Sequence, residues 1–447
     1  MSEKTLEALP ENGKHRRPWL ILGGIALILV GVLGWLVLED DSPPDDSEMI
    51  PKWTANNLHG NPLAVFCSES RQTKADAYGD LSPEVTQLKG GGIARAKAFL
   101  NEQTSALRAF DQITQTDPST WLWPDGEHMA LPYHSMEYLL NCAAIANVLG
   151  LKAKVLAHEG KIEEAVQLSL RLARLGSGMQ RAEGTPMHLA VAMNIQRLGE
   201  NGIVSAMNSK DAPRDVLVEA LKELTNLEMP RRADLQFAMR ADYRYFLNVL
   251  DIVEKSKSTS KTPADLARLP KFLFKRHRTM NLRLRVDIPI MNALNEGWRE
   301  GLAAAQAGDQ MLHDLGSKRS LGFFLDPNFG GKAFYIISAP TTLAFLRNSM
   351  DACAAREQRK VILALRLHEM DHGTLPAMLD ALVPAYVPVV PEDIYTGKPL
   401  LWNRGERIVY SVGRNGTDDG GQINDERPGK GLDLGMSYPW KQVIKEL

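Results

Sequence analysis

The chain has 447 residues, 44% of them hydrophobic, and a formal net charge of −2. Such apolar content can build a core, and the length corresponds to at most about three domain-sized units. Near-neutral charge argues against nucleic acid or another polyanion as the partner. Three cysteines, Cys67, Cys142 and Cys353, are too few and too far apart for a disulfide framework or a zinc knuckle. They read as small buried hydrophobes.

In chain order, residues 1–18 form a basic N-terminus ending in Lys14, His15, Arg16 and Arg17. Trp19 to Leu38 follows without a charge. Twenty such residues at about 1.5 Å each span about 30 Å, the thickness of a bilayer's hydrocarbon core. Trp19 and Trp35 fall near its ends, where indoles prefer to sit. The basic flank before the span and the acidic one after it (Glu39, Asp40, Asp41, Asp45, Asp46) keep the N-terminus in the cytoplasm and export the rest. A cleaved signal peptide has an apolar core of about 7–15 residues and a small-residue exit. Here the exit is Leu36-Val37-Leu38-Glu39, which favours an uncleaved, single-pass anchor at 19–38 in the inner (cytoplasmic) membrane.

Residues 39–52 are acidic and proline-containing and read as a tether. From residue 53 to 335 the apolar positions recur at helical spacing, over Ile93 to Ile113, Ser135 to His158, Ile162 to Leu175, Met187 to Met207, Arg214 to Leu227 and Arg231 to Glu254. The turn Glu159-Gly160-Lys161 with Ala165 just beyond resembles the corner between the two helices of a tetratricopeptide repeat, without a regular 34-residue recurrence. An irregular α-helical domain with repeat-like hairpins is expected. Lys271 to Arg285 interleaves six Lys and Arg with Phe and Leu. It suits an anionic membrane or an acidic partner, or, more plainly, a solvated helix face. A further helix is expected over Ile288 to Ala307, then a linker and a short apolar lead over Leu321 to Ala339.

Residues 336–447 change character. An amphipathic helix with Val361, Ala364, Leu365 and His368 or Glu369 on one face is stopped by Gly373, with Pro376 just beyond. Strands are expected at Leu400-Leu401-Trp402 and Ile408-Val409-Tyr410-Ser411, joined by a turn at Arg404-Gly405-Glu406. His368-Glu369-Met370-Asp371-His372 matches H-E-x-x-H, which on a helix presents two imidazoles to zinc and a general-base glutamate. Glu392 is the available third ligand, but it lies in a Pro-bounded loop, and the helix ends directly after His372. A histidine at a helix C-terminus also simply faces the negative end of the dipole. No G-x-S-x-G, phosphate-binding or dinucleotide-binding glycine motif is present.

From about Thr341 to Asp433 the chain resembles the globular part of the major pseudopilin of type II secretion systems. The matching residues are Leu367, His372-Gly373 and Pro376, then Pro399-Leu400, Tyr410-Ser411-Val412-Gly413, Gly416, Asp418-Asp419-Gly420-Gly421 and Leu432-Asp433-Leu434. The resemblance implies a small α+β domain, a long helix with a short antiparallel sheet. It also implies calcium held by Asp418, Asp419 and Asp433, with the neutral donor Asn415 where the family has an aspartate. Pseudopilins carry their apolar segment at the start of this helix, whereas here it lies far upstream, so the module reads as borrowed. The expected whole is mostly α. It comprises a membrane anchor, a helical domain and a pseudopilin-like end, is exported and non-enzymatic, and offers surfaces to protein partners of type II secretion-like or envelope machinery. The competing expectation is a membrane-anchored zinc metallopeptidase using His368, Glu369, His372 and Glu392.

Overall fold

The structure, a computed structural model, describes residues 25, 27–31, 34, 39–53, 60–124, 135–209, 211–228, 230–255, 274–317, 326–338, 342–423 and 432–440. It is mostly helical with one small antiparallel sheet. The helices are α1 Pro62–Ser70, α2 Pro83–Thr86, α3 Gly92–Glu102, α4 Thr104–Ile113, α5 Ser135–His158, α6 Ile162–Arg181 and α7 Pro186–Met207. They continue with α8 Arg214–Asn226, α9 Arg232–Lys255, α10 Arg276–Glu296, α11 Trp298–Ser317, α12 Phe329–Ser338 and α13 Thr342–His372. Strands β1 Leu401–Asn403, β2 Ile408–Ser411 and β3 Leu434–Ser437 follow.

The chain divides into two compact units, one of Met1–Asp45, Leu250–Arg285 and Met311–Ala339, the other of Asp46–Val249, Val286–Gln310 and Pro340–Leu447. In the first unit the acidic segment expected to be a tether is tied down. Asp40 accepts the backbone N–H groups of His277 (2.8 Å) and Arg278 (3.2 Å), and Asp41 accepts from Arg278 Nε at 2.9 Å. The physical cause is the start of α10, whose first N–H groups lack helical acceptors and attract anions. The basic stretch thus has an acidic partner within its own chain. The hydrogen bond from Arg278 holds the Asp41 carboxyl below its ordinary value.

In the second unit Gly160, at φ +79°, makes the expected tight corner between α5 and α6. The crossing of α6 over α7 is closer still. A Cβ on Gly199 would stand 2.4 Å from the Ala173 nitrogen, and one on Gly176 would stand 2.3 Å from the Gln196 nitrogen. Only glycine lets the two backbones meet at that separation. One core gathers α1, α4, α5, α6 and α7 around Phe66, Phe110, Trp123 and Tyr138. A second gathers α6, α7, α8, α13 and β2 with Tyr438 and Trp440. The C-terminal helix and sheet therefore share a core with helices from the middle of the chain.

Two expected helices are broken. Gln103, itself buried, separates α3 from α4, so that Ala106, Ala109, Phe110 and Ile113 can face the core. Gly297 separates α10 from α11. The long helix α13 departs from the expected one-sided pattern, because Val361, Ile362, Leu363, Ala364 and Leu365 are all fully buried. It runs between helices on one side and the sheet on the other, and its Gln358 side chain donates to the Leu434 carbonyl of β3 at 2.7 Å. Gly373 ends it at φ +73°, its N–H reaching the Glu369 carbonyl at 2.8 Å.

The sheet order is β1-β2-β3, antiparallel throughout, with Trp402 opposite Val409 and Val409 opposite Met436. Strands β1 and β2 fall where the apolar alternation puts them. The predicted anchor at 19–38 lies mostly outside the described residues; Leu27, Ile28, Leu29 and Val30 within it are helical and exposed. Among the described residues one helix, Glu137–His158, is long and apolar enough to cross a membrane. Tyr138, Cys142, Ile145 and Leu149 of that helix are buried in the core.

Candidate functional site

The last turn of α13 carries the H-E-x-x-H residues. Successive turns of the helix stack His368 and His372, with ring centroids 4.4 Å apart. His368 Nδ1 lies 3.0 Å from the Thr374 carbonyl oxygen. A carbonyl only accepts, so Nδ1 donates this bond, and in the neutral ring that leaves the lone pair on Nε2. Glu369 accepts the Tyr438 hydroxyl and Arg366 Nη1, the latter at 3.1 Å. Burial, and next the bond to Glu369, push the Tyr438 phenol well above its ordinary range. Asp371 takes a two-pronged bond from Arg214, at 2.7 Å from Nε and 2.9 Å from Nη2, and a third from Tyr386 at 2.8 Å. Arg214 first, then Tyr386, holds the Asp371 carboxyl well below the usual carboxylate range. Glu392 is exposed and stands in an isolated bridge with Pro399.

The acidic loop after β2 brings the other predicted residues together. Asp433, buried, accepts the backbone N–H of Gly421 at 2.7 Å and of Asp419 at 3.3 Å. Gly420 and Gly421, at φ +74° and +83°, give the loop the curvature that aims those N–H groups inward. Asp418 accepts from the Gly420 N–H at 2.9 Å and from the Tyr410 hydroxyl at 3.1 Å. Asn415 accepts the Thr417 N–H at 3.1 Å and donates to Asp419 at 2.9 Å. Burial raises the Asp433 carboxyl above its ordinary value against the lowering effect of the two N–H bonds. The donors are hard oxygens of the kind calcium takes, yet each of these residues has at least one oxygen engaged with a donor of the loop itself. Among the described residues no three His, Cys, Asp or Glu side chains are grouped to hold a metal ion.

Several polar residues at the heart of this half escaped the sequence reading. Glu200 of α7 lies between two arginines of α13, 2.7 Å from Arg356 Nε and 2.8 Å from Arg359 Nη1. All three side chains are at most 4% exposed. Arg356 also donates to the Leu227 carbonyl at 2.9 Å, and Arg359 to Asn201. Burial pulls the Arg359 guanidinium down to about 10 against the attraction of Glu200. Asp393, buried in the loop before β1, accepts the Ser411 hydroxyl at 2.7 Å and the Val412 N–H at 3.1 Å, fastening that loop to β2. Asp351 of α13 binds Arg414 and the Tyr395 hydroxyl. The one signal available was Arg356 and Arg359, three apart and in line with apolar positions of the same helix.

No protein-family model, no curated protein and no solved structure matches the chain. The class is therefore set by its own architecture: a mostly helical protein whose last long helix ends against a three-stranded antiparallel sheet.

Proposed function

We propose that this is an exported, membrane-anchored, non-enzymatic protein whose helical and pseudopilin-like surfaces engage protein partners of type II secretion-like or envelope machinery. The observation that supports it most is the end of α13. A helix of 31 residues stops at His372, a glycine turn follows, and the chain enters a short antiparallel sheet. Both acids of the H-E-x-x-H stretch serve this junction, Glu369 by holding Tyr438 and Asp371 by holding Arg214 and Tyr386. The exposed apolar residues Leu27 to Val30 support the anchor. Calcium at Asn415, Asp418, Asp419 and Asp433 belongs to the same reading. It requires the carboxylates to exchange loop N–H partners for the ion, and a calcium-dependent rise in unfolding temperature that Asp433→Asn abolishes is expected.

Crosslinking in intact membranes, with the neighbours identified by mass spectrometry, tests the partner assignment. Envelope secretion components attached to surface positions of the sheet or of α13 are expected. Neighbours drawn only from the cytoplasm overturn it.

A second reading has its own observation. The neighbouring imidazoles of His368 and His372 share one face of the helix, and Nδ1 of His368 turned to a carbonyl leaves Nε2 of the neutral ring as a metal ligand needs it. Stoichiometric zinc in the purified protein, lost in His368→Ala together with a peptidase activity, establishes the metallopeptidase in place of the first reading.

A further inference from the structure

The fold brings together two cysteines that are 75 positions apart in the chain. Cys67 of α1 and Cys142 of α5 have their Sγ atoms 3.9 Å apart, the separation of two thiols in contact. Both residues are 1% exposed, within the core that α1 and α5 share with Phe66, Phe110 and Ile145. Ser70, one turn beyond Cys67, donates to the Cys67 carbonyl at 2.8 Å and lies 4.0 Å from the Cys142 sulfur. Cys353 belongs to a different helix, α13, where burial in the finished fold pushes its thiol up to about 12.

We propose that Cys67 and Cys142 form a disulfide that staples α1 to α5 as the chain folds in an oxidising compartment. The compartment rests on the export reading given above. A disulfide has a sulfur–sulfur length of about 2.0 Å, so the pair closes by about 2 Å from thiol contact. Each cysteine has a single side-chain bond to turn about, and the finished fold can hold the two sulfurs at bonding distance with little change of backbone. The oxidant is the disulfide of a thiol oxidoreductase of the exterior. The thiolate of one cysteine attacks that disulfide, releasing one of its sulfurs as a thiolate and forming a mixed disulfide. The second cysteine, as its thiolate, then attacks the mixed disulfide at the first cysteine's sulfur. The oxidoreductase leaves as a dithiol, having gained the two electrons and two protons that Cys67 and Cys142 lose. Both thiols are buried in the finished fold, so the exchange belongs to folding, before α1 closes on α5. Two exposed or distant thiols would not be brought to a single partner in this way. The enclosed loop is long, which is where chain-entropy arguments place the largest stabilisation.

The test uses the full chain, extracted from membranes into a thiol-blocking reagent, digested without reduction and mapped by mass spectrometry. A Cys67–Cys142 linked peptide with Cys353 alone alkylated is expected, as is a fall in unfolding temperature on adding reductant. Cys67→Ser, Cys142→Ser and the double variant should then unfold at one common lower temperature, and Cys353→Ser should retain the linkage. If all three cysteines are alkylated as isolated, the chain is unfolded and refolded in detergent over oxidised and reduced glutathione. Linkage of Cys67 to Cys142 under those conditions supports the pair and refutes the exported placement. Three alkylated cysteines, or links that involve Cys353, overturn the proposal.

Discussion

Replacing His188 by glutamine is expected to flatten the acid limb of this protein's stability curve. His188 is the third residue of α7 and is 1% exposed. The Thr185 N–H donates to its Nδ1 at 3.2 Å, so Nδ1 carries a lone pair and the ring proton sits on Nε2, 2.6 Å from the Tyr138 hydroxyl. The ring packs against that of Trp123, centroids 4.5 Å apart and planes tilted by 58°. Burial pushes the imidazole down to about 3, and the positive start of the helix works in the same direction. The unfolded chain titrates near 6.5, so between the two values only the unfolded state takes up the proton. Stability is therefore full well above pH 6.5 and is lost as pH falls, with a slope that approaches about 1.4 kcal/mol per pH unit, or about 1.6 kcal/mol between pH 6.5 and 5. Glutamine keeps a donor and an acceptor but cannot be protonated. Urea unfolding followed by circular dichroism at both pH values gives the loss for each protein. The difference between wild type and His188→Gln removes the contribution of the carboxylates common to both. Equal losses in the two proteins would refute the assignment of this slope to His188.

Glu200→Gln leaves Arg356 and Arg359 buried without a counter-ion and should cost about 3–5 kcal/mol in denaturant unfolding; a change under about 1 kcal/mol would show that water or a rearranged partner takes its place. Gly199→Ala drives a methyl group into the Ala173 backbone and should destabilise by about 1–3 kcal/mol. Gly150→Ala, where a Cβ meets no atom within 4 Å of an ordinary helical position, should instead stabilise by up to about 1 kcal/mol. Asp433→Asn removes the anion that holds the Gly421 and Asp419 amides, and should cost about 1–3 kcal/mol and speed hydrogen exchange at both.

The glycine stop at Gly373, the turn between β1 and β2 and the corner at Gly160 were legible because each depends on local backbone chemistry. Positive φ favours glycine at Gly160 and Gly373, and alternation of apolar residues marks strands whatever they pair with; in the turn between β1 and β2 the positive φ falls on Arg407, which the sequence does not mark. The register of β3 was not legible. It lies beyond a long polar stretch of sequence, and its pairing of Met436 with Val409 depends on a strand far away in sequence. The break at Gln103 was hidden for a related reason: helical spacing continues through it, and only the direction of the core shows that the helix must turn.

The candidate site divides the same way. Helix termination explained why histidines and acids cluster near residue 370, but the sequence contained no pairing of Asp371 with Arg214 or of Glu369 with Tyr438. Nor did spacing connect Glu200 to Arg356, or Cys67 to Cys142, since those contacts exist only once separate helices are packed. What the chain alone determined was where local segments begin and end, because propensity and turn chemistry act over a few residues. Which buried charges and thiols meet was decided by tertiary structure, because a shared core is the only thing that brings such distant side chains within bonding reach.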